Sequence, residues 1–482
     1  MEGIQSLGLL EKFPDVDRVY VHQLYAREVA KIPKLVVLDD DPTGIQTVHD
    51  VSVFTHWEES DIREGFAQES RLFFILTNSR SFSSLQTEEV HHQIAQNVCH
   101  VAKETGKPFI IVSRSDSTLR GHYPLETETL RRTIEESEGI AVDAEILVPF
   151  FPEGGRYTVD DIQYVRQGQD LVPVGQTEFA KDKSFGFHES DLKRWCEEKT
   201  KGRVKASEVT SIGLRELRSL DFDAIEHKLT GVKHFGKVVV NAVDYIDLEV
   251  FAIAFARALS KGYHCILRSA ASIVKVLGNV ASRPYLQRNE LVDAGNMHGG
   301  LVIVGSHIQK TTMQLMRLFE VPGILPIQFD QHTVLVEGGL DQEVDRVSQA
   351  TEEAIGKGVS VVVYTRRERV DFPSDDPASN LLLSVSIANA LTSVVGRLRL
   401  RPSFLVAKGG ITSCDVGVQA LRVRKARVLG QIAAGVPVWR TGQESKFPGL
   451  SYVIFPGNVG DEDSLARIVA SLMGNALSVC PS

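Results

Sequence analysis

The sequence predicts an α/β protein built from two domains with largely parallel sheets. Its 482 residues exceed the usual domain size of about 100–200 residues, so two large domains are the simplest division. Short apolar runs rich in Val, Ile, Leu and Phe show little alternation, which is typical of strands covered on both faces. Amphipathic segments lie between these runs and supply the crossover helices that connect parallel strands.

The apolar runs and the amphipathic segments define the predicted elements in order. The buried strands are predicted over Lys34–Leu38, Leu72–Leu76, Phe109–Val112, Glu145–Val148, Val238–Val240, Cys265–Leu267, Leu301–Val304, Val361–Tyr364, Phe404–Ala407 and Tyr452–Phe455. Helices are predicted over Thr87–Lys103, Leu248–Lys261 and Thr311–Phe319. The highly charged segment Asp182–Lys205 is predicted as a solvated surface helix.

A polar stretch over residues 282–300 separates two strand-rich blocks and contains Pro and Gly. We therefore expect an N-terminal domain over residues 1–281, a linker over 282–300 and a C-terminal domain over 301–482. Residues 1–30 are predicted as a helical extension of the first domain.

Composition and charge exclude several classes of protein. Lys and Arg number 53 against 62 Asp and Glu, and the net charge of -9 argues against a general nucleic-acid binder. The five cysteines form no C-x-x-C pair, which argues against a disulfide framework or a thiolate zinc site. No apolar run reaches the ~18 residues of a membrane span, so we expect a cytoplasmic protein without a membrane partner.

Three consecutive carboxylates end the first predicted strand, in the segment DDDPTG. Crowding Asp39, Asp40 and Asp41 is unfavourable unless a cation, a hydroxylated ligand or a helix N-terminus faces them. One interpretation is an acidic turn that caps a helix. The other is a carboxylate that binds a polyol or takes a proton from a hydroxyl.

Arginines and hydroxyls follow the third predicted strand, in the segment SRSDSTLRGH. Arg114 and Arg120 flank Asp116 and Ser117, and two guanidinium groups among hydroxyls suit the capture of a carboxylate or phosphate. We favour an anion site here over surface ion pairs. After the fourth strand, a glycine pair presents Arg156, although taken alone this pair is better explained as a plain hairpin or loop.

Glycines and hydroxyls follow three strands of the C-terminal half, each time before a predicted helix. Free N–H groups and the helix dipole attract anions at such positions, so together they indicate a site for nucleotide phosphates. Lys408 could add a positive charge to that site. The residues concerned are Ser306, Gly409, Gly410, Thr412, Gly457, Asn458 and Gly460.

Seven motifs in order give the chain a family resemblance: DDDPTG, RSDSTLRG, PFFPEGGRYT, QTEFAKD, GSHIQKT, KGGITS and PGNVG. In this order they resemble the motifs of the four-carbon acid sugar kinase family. The resemblance extends from about Lys34 to about Val469.

This resemblance implies two α/β domains with an active-site cleft between them. The N-terminal domain would bind the sugar acid, and the C-terminal domain would bind ATP. Carried over by motif, Asp40 and Asp116 are the catalytic candidates, as the group that accepts or orients the substrate hydroxyl. The implied substrate-binding residues are Asp41, Arg114, Ser117, Arg120 and Arg156, and the implied ATP-binding residues are the seven named above.

The resemblance predicts an ATP- and Mg²⁺-dependent kinase that phosphorylates a hydroxyl of a small sugar acid. Family members act on four-carbon acids such as threonate, erythronate and oxo-tetronates, or on the branched five-carbon relative 3-oxo-isoapionate. Many members carry an acidic residue where this chain has Ile411, which suggests a subgroup. The alternatives are a sugar-acid lyase or isomerase, and a non-catalytic sensor of nucleotide and metabolite. ATP and the sugar acid are the expected partners, with a homodimer as the assembly to test.

Overall fold

The computed structural model describes residues 3–368, 370, 377–457 and 459–475. The chain divides into two compact units between Ser282 and Arg283. Each unit contains a largely parallel sheet with helices packed on it, so the α/β class predicted from the sequence is confirmed.

The first unit contains strands β1–β12 and helices α1–α9. The strands are Gln5–Ser6, Lys34–Asp39, Ser52–Phe54, Leu72–Leu76, Phe109–Arg114, Ala144–Val148, Arg156–Val159, Ile162–Gln167, Asp170–Pro173, Thr210–Ile212, Gly236–Val240 and Cys265–Ser269. The helices are Arg18–Glu28, Glu59–Ala67, Ser84–Thr105, Leu125–Glu138, Leu192–Lys199, Leu214–Arg218, Phe222–Gly231, Tyr245–Ser260 and Ala271–Leu277.

Parallel pairing dominates the main sheet of the first unit. Its strand order within residues 3–282 is β10-β11-β6-β12-β5-β2-β4-β3, and every neighbouring pair is parallel. A small antiparallel sheet has the order β1-β9-β8-β7. Because β12, β5, β2 and β4 are adjacent, the loops that leave their carboxyl ends meet at one edge.

Apolar packing fixes the helices of the first unit on its sheet. Residues of α2, α3 and α4 form one core cluster with β2, β4, β5 and β12. Helix α3 begins with a capping box between Ser83 and Gln86 and ends at Gly106, whose φ of 64° suits glycine. Helix α8 is buried along most of its length and contacts α1, α7 and α9.

Two segments of the first unit differ from the sequence-based expectation. The helical extension predicted over residues 1–30 is an α-helix only over Arg18–Glu28, and Gln5–Ser6 pairs with β9 instead. The surface helix predicted over Asp182–Lys205 is helical only over Leu192–Lys199. Leu192, Trp195 and Cys196 are fully buried there, because they pack in an apolar cluster with Leu147 and Val239 of the sheet.

The second unit contains strands β13–β19 and helices α10–α15. The strands are Leu301–Val304, Ile324–Phe329, Ser360–Thr365, Leu405–Lys408, Lys425–Ala433, Val436–Thr441 and Ser451–Phe455. The helices are Arg288–Leu291, Gln309–Phe319, Gly339–Gly356, Pro377–Arg397, Gly410–Asp415 and Ser464–Met473.

The sheet of the second unit is parallel except at one end. In the described part of residues 283–475, its order is β17-β18-β19-β16-β13-β15-β14, with antiparallel pairing only among β17, β18 and β19. Leu286, Leu291 and Val292 belong to the core of this unit. The segment that begins at Arg283 therefore packs as part of the second unit.

Candidate functional site

The three consecutive carboxylates of the first unit lie at the end of β2 and are paired with two arginines. Arg80 contacts Asp40 through Nη2 and Oδ1 at 2.6 Å and Asp41 through Nη1 and Oδ2 at 3.2 Å. Arg114, at the end of β5, places Nη1 3.2 Å from Asp39 Oδ1 and 3.8 Å from Asp40 Oδ1. The two cations therefore offset the repulsion that makes such a cluster unfavourable.

Arg80 was not among the residues predicted from the sequence. It follows β4, in the segment TNSRSFSS, and so lies at the carboxyl end of the strand next to β2. The signal was available, because this segment combines an arginine and hydroxyls after a buried strand, as the segment after β5 does.

The three carboxylates differ in proton affinity. Burial raises the pKa of Asp39 to about 7. The positive charge of Arg114 acts to lower this pKa, and the neighbouring carboxylates act to raise it further. Burial also raises the pKa of Asp40 to about 6. The positive charge of Arg80 acts to lower this pKa, and the negative charge of Glu126 acts to raise it. For Asp41, burial is outweighed by Arg80 and by hydrogen bonds from Thr43, so its pKa is lowered.

Only part of this cluster is open to a ligand. A Cβ on Gly44 would lie 2.0 Å from Asp39 Oδ1, so the backbone of the turn covers that carboxylate directly. Gly121 has a φ of 124°, and a Cβ there would lie 3.5 Å from Asp40 Oδ2 and 3.4 Å from Arg268 Nη2. The missing side chain of Gly121 therefore leaves space beside Asp40.

Glu126 lies near Asp40, since a Cβ on Gly121 would be 3.5 Å from Asp40 Oδ2 and 3.8 Å from Glu126 Oε2, and neither Glu126 nor its neighbour His91 was identified as a site residue from the sequence. Glu126 Oε1 accepts a hydrogen bond of 2.8 Å from Ser79 and lies 3.9 Å from His91 Nε2. Burial lowers the pKa of His91, which keeps its imidazole neutral. Glu126 therefore acts on Asp40 as a nearby negative charge rather than as a partner in a hydrogen bond.

Asp116 and Arg120 form a second pair, after β5. Arg120 Nε donates to Asp116 Oδ2 at 2.6 Å, and Thr118 Oγ1 donates to the same carboxylate. Burial would raise the pKa of Asp116, but Arg120 and Arg80 outweigh it and lower that pKa strongly. Asp116 is therefore a permanent anion at neutral pH.

Arg156 carries a charge that no carboxylate of the described residues neutralises within ion-pair distance. Its Nη1 donates to the carbonyl oxygen of Gly154, and its buried Nε has no hydrogen-bond partner in the described part of the chain. The guanidinium groups of Arg156 and Arg120 lie 5.5 Å and 5.1 Å from the ring centroid of Phe179. These two arginines thus approach the same aromatic ring, in the predicted anion site.

Ser117 belongs to the same loop and is buried. Gln163 Nε2 donates to the carbonyl oxygen of Ser117 at 2.9 Å, which ties this loop to β8. The structure therefore places Asp40, Asp41, Arg114, Asp116, Ser117, Arg120 and Arg156 all within the first unit, on loops or strand ends that follow β2, β5 and β6.

In the second unit, Ser306, Gly409, Thr412 and Gly457 come together. A Cβ on Gly409, whose φ is 116°, would lie 3.4 Å from Ser306 Cβ and 3.5 Å from Thr412 Oγ1. A Cβ on Gly457 would lie 4.0 Å from Ser306 Oγ. These loops leave β13, β16 and β19, which are adjacent strands, so they lie close together. A Cβ would make only ordinary van der Waals contacts at Gly409 and Gly457, and it is the positive φ of Gly409 that favours glycine there.

The three glycine loops differ in how they meet a helix. Gly410 begins α14, as expected, whereas α15 begins only at Ser464, so Gly457 and Gly460 lie in the preceding loop. Gly460 has a φ of 79°, and a Cβ there would lie 2.6 Å from Ser464 Cβ, so it shapes the turn into that helix. Asn458 lies outside the described residues.

Two further cations support the glycine loops. Arg367, which follows β15 and was missed by the sequence analysis, donates to the carbonyl oxygen of Ser306 at 2.8 Å and to Thr312 Oγ1 at 2.9 Å. Lys408 ends β16 and donates to the carbonyl oxygens of Pro456 at 2.6 Å and Gly457 at 3.2 Å.

Comparison with known families decides the identity of the two units. A family model described as a sugar-binding N-terminal domain matches residues 35–277, and a model described as a nucleotide-binding C-terminal domain matches residues 301–465. The chain belongs to the four-carbon acid sugar kinase family. The family resemblance inferred from the seven motifs is thereby confirmed.

Solved structures show the same fold. The Haemophilus influenzae protein HI1011, described as DUF1537, is 16% identical, with a TM-score of 0.58 over 91% of this chain and 100% of that chain. A Salmonella typhimurium LT2 protein with a provisional tRNA synthase description is 16% identical, with a TM-score of 0.63 over 90% and 98% of the two chains. Such identities show a shared fold alone. No curated protein matches the chain.

Neither a metal cage nor a membrane span is found in the described part of the chain. Among residues 3–368, 370, 377–457 and 459–475, no group of three or more His, Cys, Asp or Glu side chains is arranged to hold a metal ion. No helix of these same residues combines the length and the apolar character needed to cross a membrane.

Proposed function

We propose that this protein is an ATP-dependent kinase that phosphorylates a hydroxyl of a small sugar acid. The proposal rests on one observation: each unit has a cluster of polar residues at the carboxyl ends of adjacent parallel strands. The first contains paired carboxylates and arginines in the unit matched as sugar-binding, and the second contains glycine loops in the unit matched as nucleotide-binding.

Asp40 is the better candidate for the group that accepts the hydroxyl proton. Its raised pKa, about 6, lies close to neutral pH, where a general base is most effective. The pKa of Asp116 is too low for that role, and Asp116 instead orients Arg120 and Thr118. Asp39 is covered by the backbone at Gly44, so Asp40 is proposed in preference to Asp39.

Arg120 and Arg156 are proposed to hold the substrate carboxylate. Arg114 is buried and forms ion pairs with Asp39 and Asp40, so it is proposed to stabilise the carboxylate cluster and not to bind the substrate. Arg156 has no carboxylate of the described residues within ion-pair distance, although the charge of Asp116 acts on it, and it approaches the same Phe179 ring as Arg120. A bound carboxylate would supply the missing partner through charge-assisted hydrogen bonds.

ATP is proposed to bind the glycine loops around Ser306, with Gly409, Gly410, Thr412 and Gly457 at its phosphates. Backbone N–H groups approach an anion closely where glycine removes the side chain. Phosphoryl transfer depends mainly on positioning and charge stabilisation. Transfer also needs the loops of both units at one cleft, which stays a prediction from the family resemblance.

Among the described residues, no group of three or more His, Cys, Asp or Glu side chains is arranged to hold Mg²⁺. Mg²⁺ commonly binds through substrate phosphates and one or two carboxylates, so in this proposal it enters with the nucleotide, and no step is assigned to it. The predicted homodimer and the predicted cytoplasmic location also stay predictions.

A thermal-shift screen tests the proposal. The full chain is heated with four- and five-carbon sugar acids, including threonate, erythronate and 3-oxo-isoapionate, with and without a Mg²⁺-ATP analogue. At least one acid is expected to raise Tm, because a ligand that binds only the native state stabilises it. Arg156→Ala should lose that shift but keep the shift caused by the nucleotide, whereas the exposed control Arg132→Ala should keep both. If no acid raises Tm in the presence of the nucleotide analogue, the proposed substrate class is wrong.

A further inference from the structure

Lys408 is a fully buried cation without a counter-ion in the described part of the chain. Its side chain has no solvent exposure, and none of the described carboxylates forms an ion pair with its Nζ. The ammonium instead contacts the carbonyl oxygens of Pro456 and Gly457 and lies 4.0 Å from the centroid of the Phe455 ring. A buried charge is unfavourable unless it is paired, so this site lacks one negative partner.

The contacts of Lys408 also set the direction of a backbone donor. The carbonyl group of Pro456 points at the ammonium, and the N–H of Gly457 belongs to the same peptide unit. In a planar trans peptide the two groups point in opposite directions, so the N–H of Gly457 points away from Lys408. Gly457 itself lies beside Ser306, and the nearest atoms to a Cβ built on it would be Ile308 Cδ1 at 3.6 Å and Ser306 Oγ at 4.0 Å, so its surroundings are not tightly packed.

The surroundings of Lys408 favour the loss of its proton when no anion is bound. Burial lowers its pKa to about 7, and repulsion from Lys310, near the start of α11, contributes. Among the described residues, Lys310 is the charged group that acts on Lys408, while Phe455 contributes a ring and Pro456 and Gly457 contribute carbonyl groups. An anion on the far side of the loop would act in the opposite direction and favour the charged amine.

We propose that Lys408 is the buried counter-charge of a nucleotide phosphate, held behind the Pro456–Gly457 loop as a positioning residue that gains a proton when the phosphate binds. The proton comes from the buffer and adds to Nζ, and no covalent bond to the nucleotide forms. This inference rests on the proposed nucleotide site, but it does not depend on phosphoryl transfer to a sugar acid.

Proton uptake during nucleotide binding tests the inference without any activity assay. Isothermal titration calorimetry with ADP and Mg²⁺ at pH 8 is run in two buffers that differ in ionisation enthalpy. With a pKa of about 7 for the free protein, about 0.9 of a proton should be taken up per ADP at pH 8, and about 0.1 at pH 6. ADP binding at pH 8 without proton uptake would overturn this inference and leave the nucleotide site standing. Absence of ADP binding would overturn the nucleotide site as well.

Two substitutions separate a charge effect from a structural one. Lys408→Arg keeps the charge at all accessible pH values, so ADP affinity at pH 8 should stay within a few-fold while proton uptake disappears. Lys408→Met should lose proton uptake and weaken ADP binding at pH 7 about tenfold or more. The exposed control Lys357→Met should change neither quantity. If either Lys408 variant kept the proton uptake of the wild type, the proton would belong to another group and the inference would be wrong. The measurement on the wild type decides the case if the variants do not fold.

Discussion

The carboxylate cluster of the first unit and the glycine loops of the second unit differ in whether their buried charges have partners of opposite charge. Asp39, Asp40 and Asp41 each have an arginine nitrogen within 3.2 Å, so positive and negative groups nearly cancel. Lys408 lies among carbonyl groups and glycines with no carboxylate of the described residues beside it.

This difference indicates different ligands for the two units. In the first unit, Arg156 and the buried Arg268 have no carboxylate of the described residues within ion-pair distance, which suits a polyol that carries a carboxylate. A buried cation that faces only carbonyl oxygens and a ring, behind a loop whose Gly457 N–H points the other way, suits a ligand with several negative charges, such as a nucleotide phosphate. The comparison predicts that substitutions in one unit change the affinity for one ligand and not for the other.

Asp40→Asn should have the largest effect on activity. If Asp40 is the proposed proton acceptor, its removal should lower kcat by about 10²–10⁴-fold, while the affinity for ADP should stay unchanged because the proposed nucleotide site lies in the second unit. Steady-state kinetics and calorimetry measure the two quantities, with the exposed Asp223→Asn as the control. A kcat within threefold of the wild type would exclude Asp40 as the base.

Arg80→Gln should have the largest effect on the stability of the first unit. It leaves Asp40 and Asp41 buried with one cation fewer, and the loss of one partner of a buried ion pair costs about 3 kcal/mol of unfolding free energy. Urea denaturation measures the loss. The control Arg63→Gln removes a solvent-exposed pair with Glu104 and should cause no measurable change. Equal stability of the two variants would contradict the role given to Arg80.

Arg156→Ala and Arg120→Ala should differ in how they affect the sugar acid. Arg156→Ala is expected to raise KM for the acid about 10–100-fold with little change in kcat, because it removes a contact that the substrate makes throughout the reaction. Arg120→Ala should raise KM strongly and also lower kcat, since Asp116 loses its partner. Both should bind ATP almost as the wild type does. An equal loss of affinity for acid and ATP would count against the division of roles between the two units.

The pH dependence should give the smallest of these effects. Asp40 must be deprotonated to accept a proton, so kcat/KM should fall as the pH drops below about 6, by about tenfold per pH unit. Glu126 contributes to the raised pKa of Asp40, and Glu126→Gln should therefore move this acid limb to lower pH. A pH profile that is flat between pH 5 and 8 would argue against a carboxylate base.

Much of the fold was predictable because buried parallel strands are continuous apolar runs. Leu72–Leu76 and Leu301–Val304 are strands with the predicted bounds. The segment Asp182–Lys205 was mispredicted because its many charges dominate the pattern, while Trp195, which anchors it to the core, is a single residue. Hydropathy averaged over a window does not reveal such an anchor.

The candidate site was predictable only in part, for a physical reason. Asp40, Arg114 and Arg120 lie in motifs at strand ends that the sequence analysis recognised. Arg80 follows β4 with a similar signal that was overlooked, and Arg367 lies in a short segment after β15. Their importance comes from partners that are distant in sequence, such as Asp40 for Arg80 and Ser306 for Arg367. Which arginines have no carboxylate within ion-pair distance likewise depends on contacts in the folded structure, and a sequence motif does not show those contacts.

The most direct test of the account is ADP release by the full chain with Mg²⁺-ATP and a panel of four- and five-carbon sugar acids, followed by ³¹P NMR of the product. The account predicts ADP release that depends on one acid, an equal amount of a new phosphate ester of that acid, and loss of both in Asp40→Asn. An acid that binds but is consumed without ADP release, or is not consumed at all, would contradict the kinase assignment and favour a lyase, an isomerase or a sensor.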